Sequence, residues 1–573
     1  LEVALLAGEP DQGRRLLADL LQFHRREARP EWWAYFERLG RTAGELRDED
    51  AEAIGELTPA DDVPLREVAS SFLHPLRFPP QQHKIGAGIA VDPETQKGYE
   101  IPRVDDAAGL VWLKRAKRSV DKPLPRALIP PRPIPQNAQQ AALRALATDV
   151  IGRGFGRGAA YDLLLRLPPH LRGESLEEQV SNLGDSALFI QGPPGSGKTH
   201  TGARLICRLL RDGRSVGVAA TSHRAIANLL DEVEEAAAAQ GLAFRGLKKS
   251  GGGNPESHYE SAHIGSAAGN EAFPPADPEV RLVAGTPWLW AREEMRGSVD
   301  VLFVDEAGQV ALADALAIAG AARGMVLLGD PQQLAHVSQG THPRGSGASV
   351  LEHLLGERET IPAAEGVFLE HTYRMHPDVC RFVSDAMYDG RLRAVEGRER
   401  QAIASPGLSG AGVRLLEVDH AENRQSSPEE ADLIAGEVAR LLDGGRFTGC
   451  DGAQRDLTLD DVLVVAPYNA QVRYLRVRLP EGARVGTVDK FQGLQAPVVF
   501  FSMTSSSGED VPRGMDFLFS RNRLNVAVSR AQALSVVVCS PRLLWARCNT
   551  VEQMRLVNAL CAFAEEAERQ GQA

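Results

Sequence analysis

The chain has 573 residues, a formal net charge of −12 and 43% hydrophobic residues, so several domains with buried cores are expected. The negative charge argues against a generally basic coat for nucleic acid, although it permits a local basic channel. No apolar run approaches the about 20 residues that cross a bilayer, and the six cysteines show neither zinc-ligand nor disulfide spacing. We therefore expect a cytoplasmic protein with reduced thiols and no membrane partner. Because the chain begins with Leu1 rather than Met, we also expect it to be part of something longer.

The N-terminal part of the chain changes character near residue 60. Residues 1–60 carry apolar and charged side chains at helical spacing and predict a helical leader or stalk. Residues 61–130 contain short strand-like runs separated by turns, which predict a small β-barrel accessory domain. Two stretches leave alternatives open. The aromatic and basic residues 24–36 either pack between helices or stack bases, and the basic residues 114–118 either face solvent or contact phosphates.

From residue 131 onward, strands rich in Val, Leu and Phe alternate with helices, which predicts an α/β fold of parallel sheets covered on both faces. The strands fall into two series, so we expect one domain at 131–345 and another at 346–573, dividing between residues 337 and 369. Insertions are expected at about 148–184 and 240–280 in the first domain. The glycine-rich stretch 246–269, with Lys248 and Lys249 beside Gly251, Gly252 and Gly253, is predicted to be a lid or disordered.

A glycine-rich loop follows the apolar strand 187–190 and precedes a predicted helix. It fits the phosphate-binding pattern G-x-x-x-x-G-K-[ST], and the predicted nucleotide site comprises Gly192, Pro193, Pro194, Gly195, Ser196, Gly197, Lys198, Thr199 and the adjoining His200. The glycines allow backbone N–H groups to surround a polyphosphate, and the helix presents its positive end to the same anion. We expect Lys198 to reach the β and γ phosphates of a nucleotide and Thr199 to bind Mg²⁺ through its hydroxyl.

An acidic pair, Asp305 and Glu306, follows a second apolar strand at 301–304. Carboxylates at the C-terminal end of such a strand are typical of the second half of a nucleotide site. Asp305 is then expected to hold Mg²⁺, and Glu306 to orient and deprotonate the attacking water. The alternative is that the pair caps the N-terminus of a following helix.

A series of short segments occurs in a fixed order along the chain: 136–140, 192–199, 221–223, 285–286, 305–309, 329–334, 372–377, 467–471, 487–493 and 523–531. This series resembles the motifs of superfamily 1 helicases of the up-frameshift-like subfamily, whose members act on RNA or DNA. Departures from the usual motifs are Gln136, Thr221, His223 and Ser529. The resemblance implies two tandem RecA-like parallel-sheet P-loop NTPase domains that use ATP, and a β-barrel with stalk helices before them.

The resemblance also assigns roles around the nucleotide. Gln140 reads adenine, Gln333 senses the γ-phosphate and Gln309 helps to position the attacking water. Arg374 and Arg530 approach the γ-phosphate from the second domain as arginine fingers that engage when the domains close.

The motifs leave the roles of two further residues in the predicted nucleotide site less well defined than those above: one has two alternative roles, and the other departs from the usual residue type. Tyr373 either stacks on adenine or lies in the core. Gln495 occupies the place of an acidic residue that usually contacts ribose, so strong ribose discrimination is not expected.

The resemblance places a single strand of nucleic acid across both domains. Its matched contact positions are Ser222, Thr286, Pro467, Tyr468, Asn469 and Thr487, where Tyr468 either stacks a base or only packs. Hydroxyl and amide contacts to the backbone carry little sequence information, so the implied activity is sequence-independent translocation and unwinding, 5′→3′, on DNA or RNA. The alternative is an NTP-binding switch or loader without unwinding activity.

A weaker resemblance concerns the first residues of the chain. Residues 21–36 look like the junction that follows a RecB-like nuclease in bacterial nuclease–helicase fusion proteins. This implies a nuclease domain before this segment as a partner. The chain itself shows no nuclease carboxylate array and no iron–sulfur cysteine cluster.

Overall fold

The computed structural model describes residues 1–106, 108–119, 122–251, 257–491, 493–509, 511–512 and 514–571. Three residues that the sequence singles out, Gly252 and Gly253 of the glycine-rich stretch and Gln492 of segment 487–493, lie outside these ranges. Within them, no helix combines the length and the apolar character that crossing a membrane requires.

The N-terminal leader consists of helices α1 to α4, with bounds Glu2–Leu5, Gln12–Leu20, Phe23–Leu39 and Ala43–Glu49. Asp11 begins α2 by accepting a hydrogen bond from the backbone N–H of Arg14 at 2.8 Å, and Thr42 begins α4 in a capping box with Glu45. The leader packs on the first α/β domain through α2 and the start of α3, and on the accessory sheet through α4 and the end of α3. This arrangement fits the predicted stalk.

The accessory domain is an antiparallel sheet with six strands in the described ranges, β1 to β6: Thr58–Pro59, Arg66–Val68, Ser71–Arg77, Gly88–Val91, Gly98–Asp105 and Leu110–Ala116. The order is β1-β3-β6-β5-β4, with β2 paired to β3. One segment meets both edges of this sheet, because Ile129 bridges Val91 of β4 and Leu128 bridges Ile54 just before β1. These isolated bridges support the predicted closed barrel, which stays a prediction.

The first α/β domain contains a sheet of eight parallel strands among the described residues, in the order β10-β9-β11-β8-β12-β13-β7-β14. The strands β7 to β14 are Ala187–Gln191, Val216–Ala219, Arg245–Lys249, Ile264–Ala267, Val280–Gly285, Val299–Val304, Ala322–Gly329 and Gly366–Phe368. The helices α5 to α12 are Asn137–Arg153, Ala159–Leu165, Leu176–Ser181, Lys198–Arg211, His223–Gln240, Pro287–Trp290, Leu312–Ile318 and Val350–Leu355.

Both faces of this sheet are covered, as the apolar strands predict. Side chains of β7 alternate between the faces, because successive residues of a strand point in opposite directions. Leu188 and Ile190 lie in the core formed with α8 and α9. Phe189 lies in the core formed with α5, α6 and α11.

The structure bears on three expectations about the first domain. Strand β14 pairs with β7, so the first sheet extends past the expected end at residue 345 but stays within the expected dividing range 337–369; Gly366 permits this pairing, since a Cβ there would meet the Phe189 carbonyl oxygen at 2.5 Å. The expected insertion at 148–184 stays a prediction, although α5 continues through Arg153 and Leu163 of α6 is buried. The expected disorder of 246–269 is wrong for its described residues, where β9 and β10 pair in parallel.

The main sheet of the second α/β domain has five parallel strands among the described residues, in the order β18-β24-β23-β21-β22. Two smaller sheets, β15-β16 and β17-β19-β20, contain its other strands. The strands β15 to β24 are His371–Thr372, Arg393–Ala394, Ala402–Ala404, Gly412–Glu417, Arg446–Thr448, Gln454–Asp456, Val462–Ala466, Arg484–Thr487, Ala496–Ser502 and Ala531–Cys539. The helices α13 to α18 are Pro377–Met387, Pro428–Leu442, Asn469–Arg478, Met515–Leu518, Arg521–Val528 and Val551–Gly571. One apolar cluster continues from the first domain into the second, so the two sheets share buried contacts.

Candidate nucleotide cleft and nucleic-acid interface

The C-terminal ends of neighbouring strands carry the predicted site residues. The phosphate-binding loop follows β7, the Asp305–Glu306 pair follows β12, and Asp330 follows β13, which lies between them in the sheet. Because parallel strands end at the same edge of a sheet, these three elements lie together, as expected for a ligand site of an open α/β sheet.

The loop backbone has the geometry of a phosphate cradle. Gly195 and Gly197 have φ values of 74° and 72°, in the left-handed region that favours glycine. A Cβ at Gly195 would meet the Thr372 hydroxyl oxygen at 2.6 Å and the Arg374 Cβ at 2.7 Å. The hydroxyl of Ser196 is buried and accepts or donates no hydrogen bond among the described residues. This loop therefore requires glycine, holds an unused polar group and lies against the segment after β14.

Lys198 forms the central ion pairs of the cleft. Its Nζ lies 3.3 Å from Asp305 Oδ1 and 3.0 Å from Glu306 Oε1. Burial opposes its charge, but the two carboxylates outweigh burial and raise the pKa of Lys198. Burial also raises the pKa of the Asp305 carboxyl. The predicted phosphate-binding cation and the predicted acidic pair thus meet, and they compensate each other's charge.

The backbone of Glu306 is left-handed, with φ of 50°, which is uncommon for a residue other than glycine. Its N–H donates to Asp305 Oδ1 at 2.8 Å, and the Asp305 N–H donates to the Ala219 carbonyl at 2.8 Å. Strained backbone held by its surroundings is a feature of functional sites. Three residues further on, the carbonyl oxygen of Gln309 lies 3.2 Å from His336 Nδ1.

The second domain brings two cations to the same cleft. Arg374 donates from Nε to Gln495 Oε1 at 2.9 Å and from Nη1 to the Ser529 carbonyl at 2.9 Å. The buried Arg530 donates from Nη2 to Gln333 Oε1 at 3.4 Å and from Nε to a main-chain carbonyl at 3.0 Å. Neither guanidinium forms an ion pair with a carboxylate within the described ranges.

The charges of these two arginines are poorly compensated. Burial and the neighbouring charge of Arg530 lower the pKa of Arg374 well below its usual value, and burial lowers the pKa of Arg530 to about 10. Because a guanidinium stays charged in proteins, these shifts reflect the cost of burying two cations close together, which the nearby carboxylates of Glu306 and Asp330 offset only in part at Arg530. A bound phosphate would remove that cost.

Hydrogen bonds connect the phosphate loop to the segment after β14. Thr372 Oγ1 donates to the Pro194 carbonyl at 3.0 Å, and the Tyr373 N–H donates to the Gly195 carbonyl at 2.8 Å. Tyr373 is 58% exposed, and its ring lies 3.9 Å from an ideal Cβ at Gly197. This exposure favours the stacking alternative over the core alternative for Tyr373.

The remaining predicted nucleotide residues differ in their placement. Gln495 is exposed and accepts its hydrogen bond from Arg374, so it lies next to the predicted arginine finger. His200 is exposed, and its Nδ1 lies 3.4 Å from Glu232 of α9. Gln140 lies in the first turn of α5 and is partly buried.

Four of the predicted nucleic-acid contact residues lie at the ends of strands, two in each sheet. Ser222 follows β8 and caps α9, and Thr286 follows the neighbouring strand β11 and precedes α10. In the second sheet, Asn469 begins α15 after β21, and Thr487 ends the neighbouring strand β22. Each pair thus lies at the C-terminal edge of its sheet.

Two other predicted contact residues are buried. Pro467 is buried, and the Tyr468 ring is 5% exposed and lies 5.4 Å from the Phe517 ring between centroids. Burial of Tyr468 favours the packing alternative over base stacking.

Sequence analysis missed a contact between the stalk and the loop that follows β13. Glu27 of α3 accepts hydrogen bonds from the backbone N–H groups of Gln339 at 3.0 Å and Gly340 at 2.9 Å, and its Oε1 lies 2.5 Å from His342 Nε2. Burial opposes the charge of Glu27, but these hydrogen bonds and one from Ser338 outweigh it and lower the pKa of the carboxyl to about 2. No local pattern signals these contacts, because the partners are more than 300 residues apart.

Comparison with known protein families identifies both α/β domains. A family model described as an AAA domain matches residues 347–542, and a second model with the same description matches residues 174–402. Both models thus fall on the two α/β domains.

Relatives among characterised proteins are helicases or nucleic-acid-binding proteins by name. The DNA replication ATP-dependent helicase/nuclease JHS1 of Arabidopsis thaliana is 27% identical over 63% of this chain and 27% of its own length. The DNA-binding protein SMUBP-2 of Mesocricetus auratus is 31% identical over 42% of this chain and 25% of its own length. The chain thus spans about a quarter of the length of these two relatives. The DNA polymerase alpha-associated DNA helicase A of Schizosaccharomyces pombe is 24% identical over 62% of both chains.

Among solved structures, the arterivirus nonstructural protein 10 helicase in complex with DNA matches 80% of this chain and 74% of its own, with 15% identity and a TM-score of 0.39. Similarity at this level does not establish a shared activity. The two domain models, the sequence relatives and the ordered motifs on two parallel sheets make the chain similar to the superfamily 1 helicases of the up-frameshift-like subfamily.

Proposed function

We propose that the chain is an ATP-dependent translocase and helicase that moves 5′→3′ along single-stranded DNA or RNA. The observation that carries the proposal is the approach of cations from two domains to one phosphate-binding loop. Lys198 belongs to the loop, Arg374 lies against Gly195, and Arg530 lies close enough to Arg374 to affect its pKa. Hydrolysis of a nucleotide in this cleft is thereby linked to the relative position of the domains.

The residues of the cleft suit ATP bound with Mg²⁺. The glycine-lined loop, the unused hydroxyl of Ser196 and the two uncompensated arginines fit a polyphosphate. The oxygen donors Thr199 and Asp305 are of the type that Mg²⁺ prefers, and the metal would supply neutralisation of phosphate charge when bound. Tyr373 is placed to stack on the base.

In the proposed mechanism, Lys198 binds the β and γ phosphates, and Glu306 accepts a proton from the attacking water. Arg374 and Arg530 stabilise the negative charge of the transition state from the second domain. They can do so only when the domains are closed, so hydrolysis and product release change the position of one domain relative to the other.

The nucleic-acid path is inferred from the two pairs of polar residues at the sheet edges. Ser222 and Thr286 would contact the backbone of the strand from the first domain, and Asn469 and Thr487 from the second. Movement of the domains would then change the separation of the two pairs in each ATP cycle, as translocation requires. The relatives named as a DNA-binding protein and as a helicase/nuclease support nucleic acid as the substrate and a nuclease as a functional partner.

The proposal is tested by steady-state ATP hydrolysis with matched single-stranded DNA, single-stranded RNA and no nucleic acid. We expect a single strand of any sequence to stimulate hydrolysis. The comparison of the two nucleic acids shows whether DNA, RNA or both act as the substrate. Binding should weaken with salt, with a slope of roughly −0.7 per neutralised phosphate. Thr487→Ala should lose the stimulation while retaining ATP binding.

Two outcomes of this experiment would contradict the proposal. Hydrolysis that responds to no nucleic acid would favour the switch that binds nucleotide without translocation. A strong preference for one base sequence or for blunt duplex would indicate a different mode of binding.

A further inference from the structure

Tyr388 lies between the two domains, and no helicase motif in the sequence contains it. It follows α13 in the second domain and is fully buried. Its hydroxyl donates to Asp330 Oδ2 at 2.6 Å, across the boundary to the first domain. A buried hydroxyl that donates to a buried carboxylate is a strong interaction and is costly to leave unpaired.

Asp330 in turn determines which way the side chain of Gln333 points. The same oxygen, Asp330 Oδ2, accepts from Gln333 Nε2 at 2.9 Å, and Oδ1 accepts from the Gln332 N–H at 3.1 Å. A carboxylate can only accept hydrogen bonds, so the Gln333 amide must present its nitrogen to Asp330. Its Oε1 is then left to accept from Arg530 Nη2 at 3.4 Å.

The hydroxyl of Tyr388 is itself held by the second domain. Asn525 of α17 donates from Nδ2 to the Tyr388 oxygen at 2.8 Å and to the Gln332 carbonyl at 2.7 Å. Because the oxygen accepts from Asn525, its proton is directed towards Asp330. Asn522 of the same helix donates to the Pro331 carbonyl at 2.9 Å.

We propose that Tyr388 is a positioning residue that orients Gln333 towards the γ-phosphate and Arg530 when the domains are closed. The proposal rests on the proposed ATPase function of the cleft. Tyr388 acts through Asp330 and Gln333 and does not itself touch the nucleotide. Loss of its hydroxyl removes the hydrogen bond that holds Asp330 from the second domain, and the carboxylate that orients the Gln333 amide is then held less firmly.

The first test compares Tyr388→Phe with Tyr259→Phe. Tyr259 is a matched control, because its hydroxyl also donates to an aspartate, Asp231 Oδ1, at 2.8 Å but on α9, outside the nucleotide cleft. We expect Tyr388→Phe to lower kcat for ATP about tenfold with little change in KM, and Tyr259→Phe to leave both unchanged. Equal kcat for Tyr388→Phe and the wild type would overturn the proposal.

The second test separates positioning from a general loss of stability. If Tyr388 acts through Gln333, then Tyr388→Phe should have little further effect on kcat in a Gln333→Ala background. Additive losses in the double variant would overturn the proposal. Asn525→Ala removes the other hydrogen bond of the same hydroxyl and should reproduce part of the kcat loss, so the proposal is testable even if Tyr388→Phe folds poorly.

The readout distinguishes this inference from the proposed function. ATP hydrolysis is measured with and without single-stranded nucleic acid for every variant. A wild type that hydrolyses ATP but ignores nucleic acid contradicts translocation alone, and the kcat comparison still decides the role of Tyr388. A wild type stimulated by nucleic acid, with a Tyr388→Phe variant that matches it, contradicts the inference alone.

Discussion

The two sides of the nucleotide cleft contain cations in opposite situations. On the first-domain side, Lys198 lies within 3.3 Å of two carboxylates, and its charge is compensated before any ligand binds. On the second-domain side, Arg374 and Arg530 donate only to carbonyl and amide oxygens in the described structure. Burial lowers the pKa of Arg530 to about 10. The cation of the first side is therefore paired with carboxylates, whereas the guanidinium groups of the second side form no ion pair among the described residues.

This difference suggests how binding and turnover are divided between the domains. On the compensated side, a polyphosphate can bind when its oxygens replace the carboxylates of Asp305 and Glu306 as the partners of Lys198. The uncompensated side gains most when negative charge accumulates between the arginines, as it does in phosphoryl transfer. Changes on the two sides should accordingly affect affinity and turnover in different proportions.

The largest effect is expected from Lys198→Ala on the compensated side. In the proposed mechanism it removes the cation that binds phosphate in both the ground and the transition state, and it leaves Asp305 and Glu306 without their shared partner. We expect ATP hydrolysis to fall by at least ~100-fold with the fold retained. Lys84→Ala, which removes an exposed lysine paired with Glu52 in the accessory domain, is the control. Hydrolysis near the wild-type rate in Lys198→Ala would show that the loop does not bind the reacting phosphate.

Glu306→Gln should separate binding from chemistry on the same side. The amide has nearly the shape of the carboxylate but cannot accept the proton of the attacking water. We expect ATP to bind and hydrolysis to fall by about 10²–10⁴-fold, the usual range for a lost general base. Equilibrium binding of ATP and single-turnover hydrolysis check this prediction, and normal turnover would exclude Glu306 as the base.

The smallest effect concerns the contact between the stalk and the loop after β13. Glu27→Gln should destabilise the protein by about 1–2 kcal/mol at neutral pH, because the ionised carboxylate accepts several hydrogen bonds. Hydrogen bonds lower the pKa of Glu27 in the folded chain to about 2, from an ordinary value of 4.5. Its stabilisation is thus complete above pH 4.5 and is lost as the pH falls towards 2. Thermal unfolding of both proteins should therefore converge on acidification, and a pH-independent difference would contradict this assignment.

Sequence patterns predicted the position of the site residues that are local in the chain. The phosphate loop and Asp305–Glu306 each follow a recognisable apolar strand, so their position at the sheet edge could be predicted, whereas the chemistry assigned to them stays a prediction. The pairing of Lys198 with the acidic pair follows from the strand order. A family resemblance was needed for Arg374 and Arg530, since nothing local indicates that two arginines from another domain meet this loop.

The residues that sequence analysis missed depend on contacts between distant parts of the chain. Tyr388 meets Asp330 from 58 residues away, and Glu27 meets the loop after β13 from more than 300 residues away. Composition was also misleading in the glycine-rich stretch, where Lys248 is fully buried in β9 and donates to the Ser257 carbonyl. Strand β14, with three residues, is too short for a pattern to distinguish it from a loop.

The most direct test of the account compares ATP affinity with ATP turnover in Arg374→Ala and Arg530→Ala, with single-stranded nucleic acid bound. Arg455→Ala is the control, because Arg455 belongs to the same domain but is paired with Asp461. We predict that each cleft variant loses about 2–4 kcal/mol of transition-state stabilisation and binds ATP nearly as tightly as the wild type. A loss of affinity equal to the loss of turnover, or normal turnover in either variant, would contradict the division of roles between the two sides of the cleft.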